Sequence, residues 1–282
     1  MEKQIVPRIT RRAFITRTPL AAQGMLQAAA GMRPEKRTIG IGAARLGEFG
    51  PVVDGRILPA HPFDPAAPEI ARNKPLMVGW NEDEYTFFGM VNGDLEAFSL
   101  DEAGLARRLE KEYGPDAARI FEVYRQSRPE ASPADLYVAI KSMLFAGRGS
   151  IRIAERKAAQ NGAPVFLYNF GYKSEYRIPG TGYAFGSGHA MDIQFKFANV
   201  AEPPPGETEK GWPGNRPERF AASFAMAELW TTFARTGVPA ARNQPAWPPY
   251  ALPERPTFRI DSACEVILDR HREERELWDS LD

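Results

Sequence analysis

A carboxylate that holds an imidazole in one tautomer and steadies its charged form makes that ring a general base, as a serine nucleophile requires. Two residues of this 282-residue chain could form such a pair. Glu84 closes Asn81-Glu82-Asp83-Glu84, just after the apolar run Leu76-Met77-Val78-Gly79-Trp80. His189 ends Phe185-Gly186-Ser187-Gly188-His189, where glycines let the backbone take unusual angles and bring a ring close to a substrate. Each has a plainer reading: three acids in four residues make a solvated turn, and a loop histidine can serve structure alone. Other candidates offer less. His61, between Ala60 and Pro62, reads as a loop residue, and His271 falls on a charged terminal helix. The lone Cys264 reads as a packed thiol without an electropositive partner nearby.

Composition narrows the chemistry further. Thirty-six Lys and Arg balance 36 Asp and Glu, which leaves no electrostatic footprint for nucleic acid or an anionic membrane. One cysteine excludes a disulfide framework and a thiolate zinc cluster, and three histidines leave little for a histidine metal site. No metal or cofactor is expected. No run approaches the ~18–20 apolar residues of a membrane span, so no transmembrane segment is expected. Thr10-Arg11-Arg12-Ala13-Phe14-Ile15 looks like a twin-arginine export signal, yet Arg17 breaks its apolar core and Gln23 and Gln27 polarise it. A helix from Pro19 to Ala30 and a cytoplasmic location are the favoured reading.

The elements that must position the pair follow from apolar spacing. Leu76–Trp80 and Val165–Phe170 are short apolar runs without alternation and read as buried strands. Between them, helical spacing covers 100–125, divided at Gly114-Pro115, then 133–145 and 151–161. Residues 171–190 read as a long loop carrying His189, and 202–217 as a Pro/Gly-rich loop. Phe220 to Thr236 reads as a strongly amphipathic helix stopped by Gly237 and Pro239. Two short strands near 257–260 and 265–268 precede a charged terminal helix. Strand–helix alternation predicts an α/β fold. In such sheets ligands gather beyond the carboxyl ends of strands, where Glu84 stands. Glu84 followed by His189 also matches the last two steps of the chain order serine, acid, histidine found in α/β-hydrolases.

Several ordered motifs carry a resemblance. Phe49-Gly50-Pro51-Val52-Val53-Asp54-Gly55-Arg56-Ile57-Leu58-Pro59, Gly79-Trp80-Asn81-Glu82-Asp83-Glu84 and Gly188-His189-Ala190-Met191-Asp192-Ile193-Gln194-Phe195-Lys196-Phe197 resemble, in order, three segments of type-B carboxylesterases. Leu229-Trp230-Thr231-Thr232-Phe233-Ala234-Arg235-Thr236-Gly237-Val238-Pro239 and Pro245-Ala246-Trp247-Pro248-Pro249-Tyr250 are similar to that family's C-terminal signature. The resemblance runs from about residue 49 to the end. It implies the C-terminal part of an α/β-hydrolase, a partial and mostly parallel sheet with flanking helices, in region 49–282, with 1–48 as an atypical N-terminal extension. It also implies Glu84 as catalytic acid, His189 as general base, and a small-molecule carboxylic ester as substrate. By the same resemblance, Phe87 and Phe88 correspond to aromatic positions that line the acyl or alcohol pocket, with core packing as the alternative.

Two departures matter. Tyr85 stands where the family usually has glycine after the acid. More importantly, none of the ten serines has glycine at both −2 and +2, so the G-x-S-x-G nucleophile motif is absent, and no histidine precedes a run of glycines. The expected protein holds acid and base without a nucleophile and is inactive until an N-terminal half complements it. Missing strands would leave an unpaired parallel edge, a site of association. A non-catalytic cholinesterase-like binding protein and a degenerate fragment are the alternatives.

Overall fold

The computed structural model describes residues 52–200 and 211–281. The twin-arginine-like segment, the 19–30 helix, the 48/49 boundary and most of the 202–217 loop lie outside the described residues.

Four strands make the main sheet, in the order β1 (Leu76–Asn81), β2 (Val165–Phe170), β5 (Pro256–Ile260) and β6 (Glu265–Leu268). The first three are parallel, with Leu76 opposite Val165 and Leu167 opposite Thr257, and β6 turns back antiparallel. This is the α/β arrangement expected. All six residues of β2 are buried, whereas only Trp80 and Asn81 of β1 are. The reason is position: β2 lies inside the sheet, while β1 has no neighbour on its outer side among the described residues. Leu76, Met77, Val78 and Gly79 are accordingly half-buried rather than buried, a correction to the reading of that run.

The strand period of two sorts β2 between two cores. Val165 and Leu167 face a cluster built by α2 (Glu102–Tyr113), α3 (Ala117–Ser127), α4 (Pro133–Ser142), α5 (Arg148–Ala158) and α8 (Arg272–Ser280). Phe166, Tyr168 and Phe170 face the other side, packed with Ala222, Met226 and Leu229 of α7 (Glu218–Thr236) and with Trp247. Local signals set the helix ends. Asp101 caps α2 by accepting from Gly104 N–H at 2.6 Å. Gly114, at φ +56°, and Pro115 separate α2 from α3. Ser132 and Asp135 form a capping box for α4. Gly237, at φ +77°, closes α7 with its N–H on the Phe233 carbonyl at 2.8 Å.

Three expectations are revised. The 171–190 loop contains an antiparallel pair, β3 (Ser174–Arg177) and β4 (Ala184–Gly186), too short to show a period. The helix of 133–145 gives way at Met143 to a π turn, Met143–Gly147, which runs straight into α5. The helix α7 is not one-sided: Ala222, Met226 and Leu229 are buried, Phe220, Trp230 and Phe233 half-buried, and Phe224 exposed.

Candidate active site

Where β1 ends, the chain turns through Glu82 and Asp83 and enters α1 (Glu84–Val91). The acidic text is therefore the entrance of a helix, not a solvated turn, and Glu84 is 5% exposed. The turn grips the histidine loop. Asp83 N–H donates to the Ser187 carbonyl at 3.1 Å, and Ser187 N–H donates back to Asp83 Oδ2 at 2.7 Å. Lys173 Nζ sits 2.8 and 2.6 Å from the two Asp83 oxygens. Gly186 takes φ +60°, and a methyl group there would overlap the Asp83 carboxylate, so this glycine is required twice over. Thr86 Oγ donates toward the Phe185 carbonyl at 2.7 Å, a further tie to the strand before the loop.

These ties bring the two candidates together. His189 Nδ1 lies 2.6 Å from Glu84 Oε2, and Asn81 N–H donates to Glu84 Oε1 at 2.8 Å. A carboxylate only accepts, so Nδ1 is the nitrogen that turns its proton to Glu84, and in the neutral tautomer this selects the lone pair is at Nε2. The acid side chain is 6% exposed and the imidazole 39%. Nε2 has no hydrogen-bond partner among the described residues. The arrangement can take a proton at Nε2 while the buried carboxylate stabilises the resulting imidazolium.

Aromatic rings enclose the histidine. The Phe88 ring centroid is 4.9 Å from that of His189 and the Phe87 centroid 5.7 Å, so both residues singled out by resemblance stand beside the pair. Two further rings, Phe145 and Trp212, join them, and nothing in the sequence singles out either. Phe145, on the π turn, is 5.3 Å from His189 and 4.4 Å from Phe88, and is 49% exposed. Trp212 stacks edge-on against Phe87 at 5.3 Å, from a segment that reads only as Pro/Gly-rich loop. In the sequence Phe145 is only the last residue of the 133–145 helix and Trp212 only part of a loop; the structure places Phe145 on the π turn that ends that helix.

Tyr85, in the place of the usual glycine, points into the core. Its hydroxyl donates to Asp94 at 2.8 Å, its ring meets Tyr137 edge-on at 5.4 Å, and its N–H donates to Ser142 Oγ. Burial pushes its pKa far above the ordinary phenol range. Glu82 serves a different partner set. Burial would raise its pKa, but Lys173, Arg270, Arg259 and His271 together hold it at about 2. Arg270 is 3.1 Å from its carboxylate. Cys264 is buried and its thiol is pushed up to about 11 by that burial, in keeping with an unreactive packed residue.

Residues 31–278 match the carboxylesterase family model. The chain belongs to the carboxylesterase family. Among curated relatives, phenmedipham hydrolase of Pseudarthrobacter oxydans is 27% identical over 226 residues, covering 78% of this chain and 40% of that protein. Liver carboxylesterase 1 of Oryctolagus cuniculus is 24% identical over 215 residues, covering 72% and 36%. Among solved structures, a carboxylesterase of Geobacillus stearothermophilus superposes with a TM-score of 0.62 at 31% identity, over 82% of this chain and 45% of that one. The chain thus spans about two fifths of the length of the relatives it matches. Both Glu84 and His189 fall within the family match. Among the described residues no helix is long and apolar enough to cross a membrane.

Proposed function

We propose that Glu84 and His189 are the acid and the general base of a carboxylic ester hydrolase, and that its serine comes from polypeptide outside these 282 residues. The observation that carries this is the 2.6 Å contact between a buried carboxylate and a ring whose Nε2 is left open. In the reaction, Nε2 would take the proton from the incoming serine hydroxyl as its oxygen attacks the ester carbonyl. It would then deliver that proton to the departing alkoxide. Glu84 would hold the tautomer throughout. Oxyanion donors are needed as well, and the family places them upstream of the acid. Phe87, Phe88 and Phe145 would form the apolar wall against which the ester packs. The outer edge of β1, with its half-buried apolar residues, is the surface on which a nucleophile-bearing half would add its strands.

Hydrolysis of a p-nitrophenyl ester tests this reading. The chain alone should not exceed background. Joined to the N-terminal portion of the Geobacillus relative, it should turn over the ester, and His189→Ala should reduce that rate by about 10⁴-fold or more. Turnover by the chain alone, or a joined enzyme indifferent to His189→Ala, would contradict it. The retained pair argues against the binding-protein reading, which has no use for it.

A further inference from the structure

We propose that Asn81 is the positioning residue that sets the geometry of Glu84 against His189, a role that rests on the acid–base reading of that pair. Its main-chain N–H holds Glu84 Oε1 at 2.8 Å. Its side chain is buried and reaches the opposite wall, where Nδ2 donates to the Gly188 carbonyl at 2.8 Å and to Asp192 Oδ1 at 3.3 Å. Both partners are acceptors, so the amide can face them only through its NH₂ end, and its orientation is dictated. The Gly188 carbonyl shares a rigid peptide plane with the N–H of His189. Holding that oxygen therefore sets the direction from which the His189 side chain leaves the backbone.

The surroundings show that this peptide needs holding. Ala190, next in sequence, sits at φ +65°, a left-handed conformation that a residue with a Cβ keeps only when its neighbours impose it. The second acceptor is itself fixed. Asp192 is buried at the start of α6 (Asp192–Lys196) and ion-paired with Lys196, whose ammonium lies 5.2 Å over Trp230 and 5.8 Å over Tyr168. Asp83 clamps Ser187 but does not touch the Glu84 carboxylate. Among the described residues, Asn81 alone, apart from His189 itself, joins that carboxylate to the histidine loop. Without its amide, Glu84 would keep one backbone donor while His189 lost the tie that aims it.

The test uses the full chain and needs no turnover. Proton NMR should show a low-field Nδ1–H resonance from His189, assigned by its absence in His189→Gln. Asn81→Ala and the isosteric Asn81→Asp should abolish it or speed its exchange with water about tenfold or more, the loss of one net hydrogen bond. Ser150→Ala is the control: Ser150 Oγ donates to the Gly79 carbonyl of the same strand at 3.1 Å and does not touch the loop. It should leave the resonance in place. Retention of wild-type exchange in either Asn81 variant would overturn the proposal, as would equal loss in Ser150→Ala, which would make the effect one of general strand loosening. Absence of the resonance from the unaltered chain would instead remove the Glu84–His189 reading beneath it.

Discussion

Glu84 and Glu274 each stand beside a histidine, at 2.6 Å from His189 Nδ1 and at 3.5 Å from His271 Nδ1, yet the two pairs are built differently. Glu84 has two partners, one backbone N–H and the imidazole, and that imidazole opens outward into a ring of aromatics. Glu274 is fully buried and divides its oxygens among Ser127, Arg128 at 2.7 and 3.1 Å, and His271. Burial drives the His271 pKa down to about 4, against the pull of Glu274 and with the help of Arg128 and Arg270. His271 is therefore neutral near pH 7 and shut inside a charge network that pins α8 to α3. An acid near a histidine is common ground; an acid reserved for one histidine, with the far nitrogen open, is what distinguishes the site.

The sharpest way to break this contrast is to delete each acid in turn. In an enzyme completed with a nucleophile-bearing half, Glu84→Ala should lower ester hydrolysis by about 10⁴-fold, whereas Glu274→Ala should change the rate per folded molecule little. Stability should respond in the opposite sense. Glu274→Ala leaves Arg128 without its buried counter-charge and should cost about 3–5 kcal/mol in a urea melt of the chain.

Acid titration separates the regions next. The native His271 value of about 4 lies below its ordinary 6.5, so between these pH values the unfolded chain binds more protons than the native one. Stability should fall as pH drops from about 6.5 to 4. A second loss should follow as pH falls from the ordinary 4.5 of Glu82 toward its native value of about 2. His271→Asn, tolerated at the left-handed φ of 57°, should flatten the first decline and shrink the second only in part, because Lys173, Arg270 and Arg259 still lower the Glu82 pKa. Urea midpoints measured across this range check both slopes.

Smaller effects belong to the clamp around the site. Asp83→Ala removes an acceptor from Ser187 N–H and should cost about 1–3 kcal/mol, seen in the same melts. Lys173→Met removes the half-exposed ion pairs to Asp83 and Glu82 but no hydrogen bond of Ser187, and should cost about 1 kcal/mol or less. A loss from Lys173→Met as large as that from Asp83→Ala would show that the charge of Lys173 on Asp83 and Glu82, rather than the Ser187 bond, holds this corner together.

Much of this was legible in the sequence where a local rule decides. The runs at 76–80 and 165–170 announce strands, Gly114-Pro115 divides two helices, and ordered motifs bring Glu84, His189, Phe87 and Phe88 to notice. What escaped depends on tertiary context. Burial of β1 depends on a neighbour, so a run as apolar as β2 ends up half-exposed. The helix beginning at Glu84 is hidden by acids that look solvated. Phe145 meets His189 from a π turn that helical spacing does not show, and Asn81 reads only as the polar residue that bounds a strand until the Gly188 carbonyl appears beside its amide.

The central claim is that this chain supplies acid and base but no nucleophile. It is tested most directly by treating the chain with a fluorophosphonate, alone and joined to a half carrying G-x-S-x-G, and locating the adduct by mass spectrometry. The account predicts no adduct on any of the ten serines of this chain and a single adduct on the serine of the added half. An adduct on a serine of this chain, Ser187 beside the histidine above all, would contradict it.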